Sequence, residues 1–129
     1  MKNKCLLCQL ENDNEQAIVF ESNYCYFLMK KQTVLIGSGI IIPKAHKENV
    51  FELSKEEWED TYILLKKVKN YLDEHYHPDG YNVGWNSGKI AGQSISHAHL
   101  HIISRYKKEE HAGKGIRYWL KNQTINEQE

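Results

Sequence analysis

The sequence lacks an excess of charge of either sign: its 129 residues carry 17 Lys and Arg against 17 Asp and Glu, for a formal net charge of zero. No overall field therefore draws the chain to nucleic acid or to anionic lipid, and any anion site must be built locally. It also lacks an apolar run approaching the ~20 residues that cross a bilayer, and its start, Met1 to Cys8, has no signal-peptide core. These absences predict a cytoplasmic protein with no membrane contact. Cysteine is scarce, three residues in all, an odd number that does not suit an extracellular disulfide framework. Internal repeats are absent, and the one biased stretch is a polar tail at 122–129, so residues 1–121 read as a single domain. With 40% apolar residues, a chain of this length can bury roughly two thirds of its unfolded surface without covalent staples.

What is present is a run of short β-prone segments around one long helical pattern. Residues 17–20 and 24–29 are separated by Glu21-Ser22-Asn23, which predicts a hairpin. Ile40-Ile41-Ile42 follows Gly37-Ser38-Gly39 and stops at Pro43, which cannot continue a ladder. Ser54-Lys55-Glu56-Glu57 is a capping-box pattern that opens a helix of about five turns. Trp58, Tyr62, Leu65, Val68 or Lys69, and Leu72 form its expected apolar stripe, and His77-Pro78-Asp79-Gly80 ends it. Residues 81–86 and 96–104 read as two further strands joined by a glycine-containing loop, and residues 116–121 as a short strand or turn. Strands with one long inserted helix predict an α+β domain, the helix packed on one face of a mostly antiparallel sheet.

The informative segment is His97-Ala98-His99-Leu100-His101, because alternate positions of a strand share a face. Three imidazoles then line one surface. By residue type alone they are a solvated face, half-buried satisfied histidines, metal ligands or catalytic groups. Gly92-Gln93-Ser94, just upstream, supplies a flexible turn, an amide and a hydroxyl suited to phosphate oxygens. A neutral imidazole beside such donors is a competent nucleophile, since its ordinary pKa leaves it largely unprotonated at cellular pH.

On these residues the stretch from Gly80 through Gly92-Gln93-Ser94 to the histidine row resembles the histidine triad (HIT) family of nucleotide hydrolases and transferases, and Ile40-Ile41-Ile42-Pro43-Lys44-Ala45-His46 resembles its upstream strand and turn. The likeness spans roughly residues 5 to 106, and Arg105-Tyr106-Lys107 with Gly115 to Trp119 is similar to bacterial diadenosine polyphosphate hydrolases. The resemblance implies a HIT-like fold and a homodimer with the helix or a neighbouring strand at its interface. It implies that His99 attacks an α-phosphate and is transiently nucleotidylated, with His101 and Ser94 assisting. Asn86, Gly92, Gln93, Ser94, His99 and His101 would bind the nucleotide and its phosphates. Two positions depart from the family pattern: Ser38 stands where a histidine is usual, and Lys30 where a ribose-binding Asp or Asn is expected, with Asn23 or Gln32 as substitutes. Phe20, Phe27, Leu28 and Ile40 are the candidate walls of a base slot.

Cys5-x-x-Cys8 is half a metal site, a pair of reduced cysteines without metal, or a redox pair, and His46 and His97 are suited by residue type to complete the metal site. Zinc-bearing members of the resembled family use this arrangement, so a structural zinc on Cys5, Cys8, His46 and His97 is expected, with no catalytic cofactor. Two rivals stay open at this stage: a hydrolase whose histidine row holds a catalytic metal, and a nucleotide-binding scaffold without turnover.

Overall fold

The computed structural model describes residues 5–13 and 15–121; the polar tail at 122–129 lies outside them. Five antiparallel strands are ordered β1-β2-β3-β5-β4, with β1 at Gln16–Glu21, β2 at Cys25–Lys30, β3 at Gly39–Pro43, β4 at Gly80–Trp85 and β5 at Leu100–Arg105. One long helix, α1 (Lys55–Tyr76), lies between β3 and β4 in sequence and packs on β2 and β3. A single turn, α2 (Tyr118–Lys121), stands where a strand or turn was expected. This is the expected α+β arrangement. Among the described residues no helix is long and apolar enough to cross a membrane.

The capping box forms as its residue types require. Ser54 accepts from the Glu57 amide at 3.1 Å while the Glu57 carboxylate accepts from the Ser54 amide at 2.8 Å. The buried stripe of α1 matches the expected one at Val68 and Leu72 and is displaced by one residue in the first half of the helix. It runs Glu57, Asp60, Thr61, Leu64, Val68 and Leu72, whereas Trp58 and Tyr62 are more than half exposed. Polar residues can occupy the buried face because each is satisfied there. Asp60 accepts from the Ser22 hydroxyl at 2.6 Å and the Tyr24 amide at 2.8 Å, pinning the β1–β2 turn to the helix, and the Thr61 hydroxyl donates to the Glu57 carbonyl. Cys25 packs against this face as a plain buried thiol, its pKa pushed up to about 11 chiefly by burial.

The two sheet faces have different covers. Under α1 lie Cys25, Phe27, Ile41, Leu100 and Ile102 with Leu64, Val68 and Leu72. On the other face the segment around Leu7 closes over Leu28 and Ile42, with Ile40 and Ile95 beside them. Phe27 and Phe20 therefore belong to the helix side, leaving Leu28 and Ile40 as the base-slot candidates on the histidine side. Asn23 sits in the turn before β2, at the opposite end of that strand from Lys30, and cannot replace it. Lys30 itself pairs with Glu15 at 3.2 Å.

Gly39 sits in the central part of the sheet between Met29 and Ile102, and a Cβ there would run into the Leu28 carbonyl oxygen and the Phe27 ring. Gly39→Ala is expected to destabilise the fold by about 1–3 kcal/mol through overpacking, measured as a lower Tm and a lower urea midpoint at unchanged slope.

Candidate active site

β5 begins only at Leu100, so of the three histidines His101 alone lies in the ladder, with Ile40 opposite on one side and Gly84 on the other. His97 and His99 occupy the extended approach to the strand, and this corrects the expected strand at 96–104. The three rings do not converge. His97 is fully buried and turned toward the two cysteines, while the His99 and His101 rings meet edge to face with centroids 4.8 Å apart.

The Nε2 atom of His97 lies 2.9 Å from the Pro43 carbonyl and must carry the proton of that hydrogen bond. In the neutral ring the lone pair is then on Nδ1, which faces Cys5 Sγ at 3.5 Å and Cys8 Sγ at 3.4 Å. Burial lowers the pKa of His97 and so favours this neutral form. His46 Nδ1 lies 3.1 Å from Cys8 Sγ, and the four ligand atoms of Cys5, Cys8, His46 and His97 all fall within 4.8 Å of one another. A tetrahedral ion with Zn-like bond lengths requires nitrogen-to-sulfur edges of about 3.5 Å, so the cluster could hold a metal. It is the sole such group of three or more among the described residues, and His99 and His101 are not part of it. No disulfide joins the cysteines.

The same residue fixes the next ring. His99 Nδ1 lies 2.8 Å from the His97 carbonyl oxygen and must be the protonated nitrogen. The lone pair of the neutral ring then falls on Nε2, which has no hydrogen-bond partner among the described residues. His101 Nε2 is buried without a partner as well, and its pKa is lowered first by burial and then by His99. Beside it Asn82, Gly84, Asn86, Ile103 and Ile116 line a cleft of about 270 Å³.

The glycine loop lies on the approach to the first histidine. Gly88 and Gly92 have φ of +93° and +97°, conformations that side chains with a Cβ rarely adopt. The Asn86 side chain packs against Gly92, and the exposed Ser94 hydroxyl has no partner among the described residues. Gln93 differs. Its Nε2 donates to the carbonyls of Glu48 (2.6 Å) and Ile95 (2.9 Å), and its Oε1 accepts from the Gly88 amide at 2.9 Å. Ser38 accepts from the Ser104 amide and donates to the Leu35 carbonyl, tying the entry of β3 to the end of β5. His75, His77 and His111 are exposed and lie apart from both centres. Sequence reading did not reveal Pro43, Lys47 and Glu48, which act through backbone carbonyls, nor Asn82, Gly84 and Ile116, which reach the cleft through strand pairing and the returning C-terminal segment. Arg105 anchors that return through Glu109, Asn82 and the carbonyls of His111 and Lys114.

Fold and site together define an α+β protein whose open sheet face carries a histidine centre next to a Cys/His cluster. Residues 11–108 match the model of the HIT domain. A bis(5′-adenosyl)-triphosphatase of Dictyostelium discoideum is 32% identical over 93 residues, covering 72% of this chain and 62% of that protein. An adenosine 5′-monophosphoramidase of Schizosaccharomyces pombe is 39% identical over 79 residues, covering 61% and 56%. The chain thus spans less than two thirds of either relative. The solved structure of a HIT family member from Bacillus subtilis superposes with a TM-score of 0.71 at 28% identity, covering 96% of this chain and 94% of that one. The chain belongs to the HIT family, and the two relatives just named are hydrolases.

Because the folded His101 ring binds its proton less tightly than an unfolded histidine near 6.5, protonation favours unfolding. Its contribution to stability is complete above pH 6.5 and is lost as pH falls from there toward the lower folded value. In ¹H–¹³C NMR the His101 ring is expected to titrate with a midpoint below 6.5.

Proposed function

We propose that this HIT-family hydrolase cleaves an adenine nucleotide at its α-phosphate, at a phosphoanhydride or phosphoramidate bond, through a nucleotidyl intermediate on His99. The observation that carries this reading is the 2.8 Å contact between His99 Nδ1 and the His97 carbonyl, which leaves Nε2 as the lone-pair nitrogen. Nε2 attacks phosphorus, and the P–O or P–N bond to the leaving group breaks with its electron pair, water supplying the proton. The ring becomes cationic and its Nδ1–H bond to the carbonyl strengthens, since charge-assisted hydrogen bonds are the stronger kind. A second water attacks phosphorus and passes its proton to the hydroxide left by the first, and the P–Nε2 bond breaks to release the nucleoside monophosphate and the neutral imidazole. His101, Asn86 and the Gly92 turn serve the phosphate oxygens, an assignment supported by a buried unpartnered ring nitrogen and an amide beside the loop, and Ser94 joins them from the neighbouring cavity that it lines with Cys5, His46 and Glu48. The two hydrolase relatives support the bond classes.

The Cys5, Cys8, His46 and His97 cluster takes zinc in this reading, since two thiolates and two imidazoles are its usual structural donor set. All four positions belong to protein, so the ion would hold the N-terminal segment against the sheet. A second copy of the chain covers the apolar patch of Trp58, Tyr62, Val83 and Trp85, where α1 meets the edge strand β4 and the two tryptophan rings stack at 6.2 Å. Cysteines not joined in a disulfide suit a reducing compartment, and we assign the protein to the cytoplasm.

His99→Ala is expected to lower kcat by at least about 10⁴-fold on diadenosine triphosphate and adenosine 5′-phosphoramidate while the protein stays folded. Acid-free mass spectrometry of the native chain during turnover should find one nucleoside monophosphate on the peptide containing His99; near-normal turnover in the variant would reject the nucleophile. Native mass spectrometry should give two chains with two zinc ions, and Cys8→Ser should lose the metal.

A further inference from the structure

Gln93 is flanked by the glycine turn and Ser94, and its residue type suits a phosphate ligand, but its side-chain amide is fully engaged inside the protein. Both Nε2 protons are taken, by the Glu48 and Ile95 carbonyls, and Oε1 receives the Gly88 amide. The Gln93 backbone amide in turn donates to the Gly88 carbonyl at 3.1 Å, so residues 88 and 93 are clamped at two points, across a loop that contains two left-handed glycines. Glu48 lies two residues beyond His46, and Lys47 between them accepts the Ala98 amide at 2.7 Å. One amide group therefore joins three segments: the glycine loop, the stretch leading into His97, and the chain leaving the Cys/His cluster. Without it the loop would keep only its own backbone bonds, from the Ala91 amide to Gly88, the Gly92 amide to Lys89 and the Gln93 amide to Gly88, and nothing else among the described side chains would bridge Gly88 to the 46–48 segment.

We propose that Gln93 is a positioning residue that fixes the Ser94 hydroxyl and the Gly92 turn relative to His99, and that it does not itself bind the phosphate. This rests on the hydrolase reading above. The geometry separates two functions within one side chain: the acceptor closes the loop, and the donors attach the closed loop to the rest of the site.

Two variants of the full metal-loaded chain test it. Gln93→Met keeps the length and removes all polar contacts; Gln93→Glu keeps the acceptor and removes both donors. Amide exchange by NMR, without nucleotide, is expected to be at least about tenfold faster at Gly88 in the Met variant than in the native chain. Turnover of diadenosine triphosphate should fall roughly 10- to 100-fold in both, as expected for a site held slightly out of place. The affinity of the Met variant for AMP should weaken by much less than kcat falls, since Gln93 itself touches no phosphate oxygen and His101 and Asn86 keep their places. Unchanged Gly88 exchange in the Met variant would overturn the clamp, and an AMP affinity that weakens in step with kcat would make Gln93 a direct ligand. If the native chain turned over no adenine nucleotide, the hydrolase reading would fall, while Gly88 exchange and AMP affinity would still decide the role of Gln93.

Discussion

The arrangement depends on β5 being a strand with two different faces. Leu100 and Ile102 are buried under α1 and Ser104 is buried against Gly37 and Ser38, so the period of two directs His101 and Ile103 to the opposite face. Its neighbours then set what His101 meets: the register puts Ile40 on one side and Gly84 on the other. Gly84 has no side chain, and the space it leaves is bounded by Ile116 from the returning C-terminal segment. A shift of one residue in this register would turn His101 into the helix-side core and carry the site away with it.

The peptide of His97 is where the two centres join. Its side chain faces the two cysteine sulfurs, its carbonyl receives the His99 Nδ1 proton, and the following amide is bound by Lys47. Distortion of the Cys/His cluster would therefore reach His99 through a single backbone carbonyl. The approach to β5 lies outside the ladder, and its polar groups are bound to the segment at 43–48 instead of to a neighbouring strand: His97 Nε2 to the Pro43 carbonyl, the Ala98 amide to Lys47 and the Gln93 side-chain amide to Glu48.

Part of this was legible in the residues. The capping box at Ser54 and Glu57, the stop at Pro43 and the strand at Gly80–Trp85 are local signals, set by side-chain to backbone bonds or by backbone geometry within a few residues. The helix stripe was read correctly at Val68 and Leu72 and one residue off before them, because Trp58 and Tyr62 are more apolar than Glu57, Asp60 and Thr61. Hydropathy cannot anticipate that Asp60 is satisfied by Ser22 and Tyr24, 38 and 36 residues away. Ser38 shows the same limit: its departure from the family pattern has a bracing use at Leu35 and Ser104 that depends on strand pairing.

The sequence by itself determined the fold class, the family and the chemical types available, since periodicity, caps and motif spacing act over short stretches of chain. Tertiary structure alone decided that His97 turns to Cys5 and Cys8, that the His99 proton sits on Nδ1, and that the Gln93 amide is engaged before any ligand arrives. Each of these depends on a backbone carbonyl or sulfur brought in from elsewhere in the chain. Every residue but proline carries the same amide and carbonyl, so the sequence holds no mark of which one will be the partner.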